Sequence, residues 1–286
     1  MYAIVNRQSS IVNRNSGIRH KAFTLVEIIF VIAIVGVLAS ILLPGFQKIR
    51  KEAQKIEDVS HLKKIAEAYK IYIERFGRMI TCSSVRISES LAWGLAFNNG
   101  TGLGDPVEVV DKANCILNDA SVYISSGDKY ASKVVQTNIG QVTSSGAYVW
   151  KNPWADNKEV LGCGQNTWLF SYVLIGGISG ECSPETTPVA FTRGLTDKGT
   201  WDKDYGLYGE SGGYVAYLDG HVRWFDGKRP ARFLKPDKSG YSSNIADAVP
   251  DDATFGCGYL GESDFRMYTN AKGEKLIYCG KGVNYR

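Results

Sequence analysis

One carboxylate lies inside the most apolar stretch of the chain. Residues 23–43 read FTLVEIIFVIAIVGVLASILL, and Glu27 is the only charged side chain among them. As a helix this stretch would be roughly 31 Å long, which is enough to cross the hydrocarbon core of a bilayer. An unpaired carboxylate in hydrocarbon is costly, since no water is present to solvate its charge. We therefore predict that the stretch spans a membrane and that Glu27 pairs with a cation.

A basic segment precedes the apolar stretch. The first 22 residues contain Arg7, Arg14, Arg19 and Lys21 but no Asp or Glu. Without these four cations, the 33 Lys and Arg of the chain fall to 29 and balance the 29 Asp and Glu. Nucleic-acid binding normally requires a concentrated cationic surface, so the neutral remainder of the chain argues against that class of function.

The residues at this boundary resemble a known processing signal. Lys21-Ala22-Phe23-Thr24-Leu25-Val26-Glu27 is similar to the class III signal of type IV pilins and of the pseudopilins of type II secretion, and the resemblance covers residues 19–50. It implies that a prepilin peptidase cuts between Ala22 and Phe23 on the cytoplasmic face and that Phe23 is then N-methylated. The family usually has Gly before the cut, where this chain has Ala22.

Cleavage would supply the cation that Glu27 needs. The new α-amino group of Phe23 would have a reference pKa of about 7.7–8.0 and be largely cationic at neutral pH. The amine of a staggered neighbouring subunit could then meet Glu27 directly. The resemblance implies this pairing, which would give register and recruitment to a growing filament. The alternative is that Glu27 is an incidental acid close enough to the membrane interface to reach water.

Pro44 follows the apolar run. A proline inside a helix removes one hydrogen bond and bends the axis, so with Gly36 and Ser40 upstream this stretch can kink or partly unwind. The resemblance implies a role in assembly, because similar breaks let pilin helices pack and filaments stretch. The alternative is that Pro44 merely lies near the membrane interface.

After Pro44 the pattern becomes amphipathic. Apolar residues recur at alternating steps of three and four at Val59, Leu62, Ala66, Tyr69, Ile73 and Phe76. This pattern predicts one helix over residues 24–76 that ends at Gly77 and lays its stripe against a head domain. A free coiled coil is the alternative. His61 lies off the stripe and is expected to face outward.

These features divide the chain into three segments. Residues 1–22 are the cleaved basic leader, and residues 23–76 form the long helix, with 23–43 in the membrane or filament core. Residues 77–286 form an extracytoplasmic globular head. The predicted fold class is α+β, pilin-like, with a long N-terminal helix packed on a loop-rich antiparallel β head.

Within the head, local patterns predict helices over residues 87–97 and 105–117. The predicted strands cover residues 147–150, 168–175, 189–192, 214–218, 221–225 and 275–279. Asp219-Gly220 between two alternating runs predicts a tight hairpin with both central residues at positive φ. Residues 214–225 also resemble the DGHV hairpin near the C-terminus of many bacterial prepilin-like proteins.

Six cysteines follow the predicted span: Cys82, Cys115, Cys163, Cys182, Cys257 and Cys279. No C-x2-C pair is present, which disfavours zinc and a thioredoxin-like redox centre. An even number in an oxidising compartment indicates up to three disulfides, for which fifteen pairings are possible. Sequential pairing (82–115, 163–182 and 257–279) closes the shortest loops and is our prediction. Free buried thiols are the alternative.

The chain offers little for catalysis or metal binding. Asp219 and His221 could form an acid–base pair, but no serine or cysteine motif completes a nucleophilic site, so we predict no catalytic residues. Asp197, Asp202 and Asp204 are weak candidates for calcium ligands. Their spacing lacks the EF-hand pattern, and a solvated turn is favoured.

We therefore predict a non-enzymatic, single-pass protein of the bacterial inner membrane, with its N-terminus in the cytoplasm and its C-terminus outside. It would be a structural subunit of a type IV pilus or type II secretion pseudopilus, assembled as a periplasmic or cell-surface filament without a cofactor. The family implies further copies, the prepilin peptidase, an assembly ATPase and a membrane platform protein as partners. The alternatives are a membrane-anchored binding module or enzyme that does not polymerise, and a minor subunit at the filament tip.

Overall fold

The computed structural model of the protein describes residues 24–79, 116–117, 119–128, 140–142, 148–150, 167–168, 170–256, 259–260 and 272–277. The chain forms two compact units, Met1–Arg50 and Lys51–Arg286. The helices predicted over residues 87–97 and 105–117 lie outside the described residues, except that residues 116–117 are described and are not helical.

The long N-terminal helix is confirmed. Helix α1 covers Leu25–Phe76 and continues through residue 44 without interruption. It ends where Gly77 adopts a φ of +78° and its N–H donates to the Ile73 carbonyl at 2.7 Å. Glycine takes this left-handed conformation without the steric cost of a Cβ, which is why it commonly ends helices.

The rest of the described chain is rich in short strands. They are β1 (Gly140–Val142), β2 (Tyr148–Trp150), β3 (Thr167–Trp168), β4 (Tyr172–Gly176), β5 (Pro188–Thr192), β6 (Gly212–Tyr217), β7 (Val222–Asp226), β8 (Phe233–Leu234), β9 (Tyr241–Ser242), β10 (Thr254–Gly256) and β11 (Tyr259–Leu260). Five strands form an antiparallel sheet in the order β10-β4-β5-β6-β7, so β7 and β10 lie at its edges. The other strands pair in twos. This architecture confirms the α+β class.

The core of the second unit lies where α1 packs on this sheet. Every residue of β4 and β5 is buried. The helix buries Leu62, Ile65, Ala66, Tyr69, Tyr72 and Ile73. The Ile175 N–H of β4 donates to the Tyr69 hydroxyl at 3.1 Å, which ties the helix to an interior strand of the sheet. The predicted stripe is therefore confirmed in its centre, whereas Phe76 at its end is 41% exposed.

Four strand predictions are confirmed with ends shifted by one or two residues, and they correspond to β2, β5, β6 and β7. The strand predicted over residues 168–175 is instead split into β3 and β4. The backbone between them bonds elsewhere, because the Ser171 N–H donates to the Tyr123 carbonyl at 2.9 Å and Arg193 Nη1 donates to the Phe170 carbonyl at 2.7 Å. Of residues 275–279, only 275–277 are described, and Leu276 makes an isolated bridge to Thr196.

The β6–β7 hairpin is confirmed, but the predicted two-residue turn is wrong. Tyr217 pairs with His221 through its N–H, which donates to the His221 carbonyl at 3.0 Å, so the loop contains the three residues Leu218, Asp219 and Gly220. Only Gly220 has a positive φ, of +94°. Three-residue hairpin loops need a single left-handed residue at their last position, and glycine fills it here.

Candidate assembly site and a buried polar junction

Glu27 lies in the first turn of α1 and forms a capping box with Thr24. Its Oε2 accepts hydrogen bonds from the Thr24 N–H at 2.9 Å and from Thr24 Oγ1 at 3.0 Å. In return, the Glu27 N–H donates to Thr24 Oγ1 at 3.3 Å. Such reciprocal bonds satisfy amide groups that the first turn of a helix leaves unpaired. Among the described residues Oε1 accepts no hydrogen bond, so this oxygen is available to a further donor.

The helix around Glu27 is exposed and apolar. Leu25–Leu42 is long and apolar enough to cross a membrane, and none of it is buried. Large apolar side chains remain exposed further along α1, at Phe46, Ile49 and Ile56. A continuous apolar surface of this size marks a contact with lipid or with other proteins.

Several predicted site residues fall outside the description. Ala22 and Phe23 lie outside the described residues, and nothing is described of the Pro44 side chain. The cleavage site, the N-methylation of Phe23 and the role of Pro44 in assembly therefore remain predictions.

One predicted disulfide cysteine is described, and it forms no disulfide with another described residue. Cys182 is half-buried, with Sγ 3.7 Å from Ser179 Oγ. Its predicted partner, Cys163, lies outside the described residues, as do Cys82, Cys115, Cys257 and Cys279. The pairing therefore remains a prediction.

Two of the three candidate calcium ligands, Asp197 and Asp202, accept hydrogen bonds from backbone N–H groups. Asp197 Oδ1 accepts the Lys275 N–H at 2.9 Å. Asp202 Oδ1 accepts the N–H groups of Asp204 and Tyr205, each at 2.9 Å. Within the described residues no three Asp, Glu, His or Cys side chains come together as metal ligands. Asp202 thus orders this turn and Asp197 ties it to Lys275, while calcium binding remains an untested suggestion.

Asp219 and His221 come together at the hairpin turn. His221 Nδ1 lies 2.6 Å from Asp219 Oδ1, and the imidazole stacks on the Tyr217 ring at a centroid distance of 4.3 Å. Lys70 Nζ of α1 donates a hydrogen bond to the backbone carbonyl of Asp219 at 2.5 Å. These contacts fix the turn against the helix.

A buried carboxylate on α1 was missed by the sequence analysis. Asp58 has no solvent exposure, and its Oδ1 accepts the Tyr172 hydroxyl at 2.6 Å while its Oδ2 accepts the Tyr208 hydroxyl. Burial raises the pKa of Asp58, because a low-dielectric environment disfavours the charged form. Hydrogen bonds from Tyr172, Tyr208 and Ser125 act in the opposite direction, and the nearby charge of Glu57 adds to the rise.

The prediction that His61 faces outward is wrong. Its side chain is buried beside Asp58, with Nδ1 3.3 Å from the Tyr172 hydroxyl and the two rings edge to face. Burial lowers the pKa of His61, whereas the charges of Glu57 and Asp119 and a hydrogen bond to the Ile124 carbonyl raise it. We call Asp58, His61, Tyr172 and Tyr208 the polar junction.

A second buried charge is paired. Arg193 Nη2 lies 2.8 Å from Asp128 Oδ1, and both side chains are at most 2% exposed. Ser171 Oγ donates to Asp128 Oδ2 at 2.7 Å and accepts the Ser125 N–H at 2.9 Å. The ion pair is thus connected through Ser171 to the backbone of Ser125.

The sequence contained one signal for this junction. Asp58 precedes Leu62, Ile65 and Tyr69 by steps that keep it in phase with the buried stripe, so a charged residue occupied a core position. Its hydrogen-bond partners Tyr172 and Tyr208 are 114 and 150 residues away. No local pattern indicates contacts over such separations.

Comparison with known proteins identifies the N-terminal segment. A family model described as the prokaryotic N-terminal methylation motif matches residues 18–43, the stretch that contains Ala22, Phe23 and Glu27. No curated protein and no solved structure matches the chain. The match ends before the head, so the resemblance of the β6–β7 hairpin to other prepilin-like proteins remains a sequence observation. The match covers residues 18–43 of the 286-residue chain and supports the resemblance of this segment to type IV pilins and pseudopilins, which a prepilin peptidase processes.

Proposed function

We propose that this protein is a structural subunit that polymerises through α1 into a type IV pilus or a type II secretion pseudopilus. Residues 1–22 are the leader removed before Phe23, α1 holds the chain in the cytoplasmic membrane, and residues 77–286 form the head outside it. The observation that carries the proposal is the fully exposed apolar surface of Leu25–Leu42 with Glu27 as its one charged residue.

The exposed apolar surface of α1 must be buried against another apolar surface when the protein leaves the membrane. Lipid tails are as apolar as leucine, so the helix gains little by moving from lipid to protein unless packing and polar contacts favour the move. In water, by contrast, leaving one large aliphatic side chain exposed costs about 1.5–3 kcal/mol. In a filament, neighbouring copies of α1 bury this surface. An assembly ATPase, together with a platform protein, provides the energy to extract the helix from the membrane.

Glu27 supplies the polar contact. Its Oε2 is occupied by the capping box, and its Oε1 can accept a hydrogen bond from another chain. The methylated amine of Phe23 in an adjacent copy is the partner we propose. Inside an apolar filament each charge would be costly alone, so the pair forms only at the correct stagger and thereby sets the register.

The test compares Glu27→Gln with Glu74→Gln, a matched control on the exposed polar part of the same helix. In cells that contain the assembly machinery, we expect the Glu27→Gln protein to reach the membrane and be cleaved. Its share in sheared filaments should fall at least about tenfold, the factor that corresponds to 1.4 kcal/mol. Glu74→Gln should assemble like the wild type, as measured by immunoblots of filament and membrane fractions.

Other outcomes separate the alternatives. Mass spectrometry of the mature protein should show an N-methylated Phe23, and an intact Met1 would contradict the processing step. Wild-type protein that is cleaved but never enters filaments would identify a membrane-anchored module. Immunogold labelling confined to filament ends would identify a tip subunit. Equal assembly of both variants would remove the role of Glu27.

A further inference from the structure

We propose that Asp58 stores a proton in the polar junction between α1 and the sheet, and that losing this proton as the pH rises loosens the junction. The proposal concerns contacts within Lys51–Arg286 and does not depend on whether the protein polymerises. The stability of the packing between α1 and the sheet would then depend on the pH outside the cytoplasm.

The Tyr172 hydroxyl lies between two groups that could accept its hydrogen. The Tyr172 hydroxyl lies 2.6 Å from Asp58 Oδ1 and 3.3 Å from His61 Nδ1. A tyrosine hydroxyl has one hydrogen, so it can donate to only one of these two atoms at a time. The Tyr208 hydroxyl is already directed at Asp58 Oδ2 and cannot help His61.

The tautomer of His61 decides which arrangement is complete. The Ile124 carbonyl also lies close enough to the imidazole to raise its pKa, and a carbonyl can only accept a hydrogen. We assign that hydrogen to Nε2, because Nδ1 faces Tyr172, and Nδ1 of the neutral ring is then an acceptor. With Asp58 ionised, Tyr172 donates to the carboxylate and Nδ1 loses this donor. With Asp58 protonated, the acid donates to Tyr172, Tyr172 donates to His61, and every group is paired.

The surrounding charges favour the protonated acid. The charged and titratable groups that face the junction are Glu57 and Lys64 on α1, Asp119 before the short helix Ala120–Tyr123, the paired Asp128 and Arg193, and Tyr214 on β6. Because the ion pair compensates itself, two carboxylates and one ammonium remain, and an ionised Asp58 would add a buried negative charge to them. Burial raises the pKa of Asp58 and lowers that of His61, in agreement with a protonated acid beside a neutral imidazole.

The sign of the pH dependence follows from the raised pKa. When α1 is packed on the sheet, Asp58 keeps its proton above pH 3.8. When the packing opens and water reaches Asp58, the proton is lost above the ordinary pKa of 3.8. The stabilisation is therefore complete below pH 3.8 and is lost as the pH rises through the raised pKa. Between these two values the opening equilibrium should increase by up to about tenfold per pH unit. His61 acts oppositely, since its contribution to stability is complete above its ordinary pKa of 6.5 and is lost as the pH falls through the lowered pKa.

Asp58→Asn tests the proposal, because the asparagine amide imitates the protonated acid. Its NH2 group can donate to Tyr172 while its oxygen still accepts from Tyr208. Hydrogen–deuterium exchange of the full-length protein in detergent should be followed in peptides covering residues 54–62, between about pH 4 and pH 8, with correction for intrinsic exchange. Wild-type protection should fall with rising pH, whereas that of Asp58→Asn should not fall, because only the opposite contribution of His61 remains, and it should exceed the wild type at the upper end.

Glu67→Gln is the matched control, because it neutralises an exposed carboxylate of the same helix that is not among the groups facing the polar junction. It should retain a wild-type dependence on pH. Parallel profiles for the wild type and Asp58→Asn, or weaker protection of Asp58→Asn at high pH, would overturn the proposal. An independent readout is the 1H–15N spectrum of the His61 ring near neutral pH, where a neutral ring protonated at Nε2 is expected. A charged ring, or one protonated only at Nδ1, would also overturn it.

Discussion

At the scale of single residues, the described core contains ionisable groups that are satisfied by specific partners. Asp128 and Arg193 neutralise each other, and Asp58 is surrounded by hydroxyl groups. Removing a charge from water costs several kcal/mol, which only close partners can offset. These groups consequently stabilise one arrangement of the core, since a shifted packing would leave a charge buried alone.

Two of the ion pairs in the described part of the head allow a direct comparison of burial. Asp128→Asn should lower the free energy of unfolding by about 3–5 kcal/mol, because it leaves the Arg193 guanidinium buried without a counter-charge. Asp252→Asn makes the same chemical change in an exposed pair with Arg78, where both side chains are more than 40% exposed. That variant should lose less than about 1 kcal/mol. Denaturant unfolding followed by tryptophan fluorescence measures both, and equal losses would contradict the comparison.

The difference between Glu27 and Asp58 shows which site residues a sequence can reveal. Glu27 could be singled out because its context is local, one acid in 21 apolar residues followed along the chain by a helix pattern. Asp58 has a polar local context, and its environment is made by Tyr172 and Tyr208 from distant strands and loops. Distant residues bury Asp58, so the sequence around it gives only one weak indication of burial. That indication is its position in phase with the apolar stripe of α1.

At the scale of elements, α1 and the β6–β7 hairpin are joined at one point. Lys70 reaches from the helix to the carbonyl of Asp219, the residue that also accepts hydrogen bonds from the His221 backbone and ring. The contact fixes the end of the hairpin relative to the helix. The turn that sequence analysis singled out thus has a structural role in the described head.

Lys70→Met should loosen this contact. The substitution keeps most of the aliphatic side chain but removes the charged donor, and hydrogen bonds to charged groups contribute about 1.5–3 kcal/mol. Lys63→Met is the control, because Lys63 is exposed on the same helix. We expect a lower melting temperature and faster amide exchange at residues 217–221 for Lys70→Met only. Identical melting temperatures for the two variants would show that the hydrogen bond contributes nothing.

The accuracy of the strand predictions followed the length of the pattern. Strands β6 and β7 could be predicted because two alternating runs flank a turn signal. Strands β8 and β9 contain two residues each, which is too short for any periodicity, and they were not predicted. The split between β3 and β4 depends on Arg193, which lies 23 residues from Phe170 in the sequence and donates a hydrogen bond to the Phe170 carbonyl. A local pattern cannot indicate this contact.

At the scale of the whole molecule, the second half of α1 belongs to the core of the head. Leu62, Ile65, Tyr69 and Tyr72 have no solvent exposure, and their burial requires the sheet. Replacing one such side chain by alanine typically costs about 2–5 kcal/mol, while a whole domain is stable by only about 5–15 kcal/mol. The head therefore cannot be separated from this part of the helix.

Two truncations test this dependence. A fragment that begins at Lys51, the start of the second unit, should be soluble and unfold cooperatively. A fragment that begins at Arg78 lacks the buried helix face and should fail to fold, with exposed apolar surface and no cooperative transition. Near-UV circular dichroism and thermal melts distinguish the two results. A cooperative melt for the shorter fragment would show that the sheet is stable without the helix.

The edge position of β7 limits how copies of this protein can adhere. An open strand edge is a template for adding strands from other molecules, which leads to aggregates. Here the strand is five residues long, and Arg223 and Asp226 are exposed along it. The Arg223 guanidinium also lies over the Phe225 ring, 4.9 Å from its centroid, and so shields an apolar side chain. Strand addition at this edge is thereby disfavoured, which protects the protein from irreversible aggregation where it is concentrated.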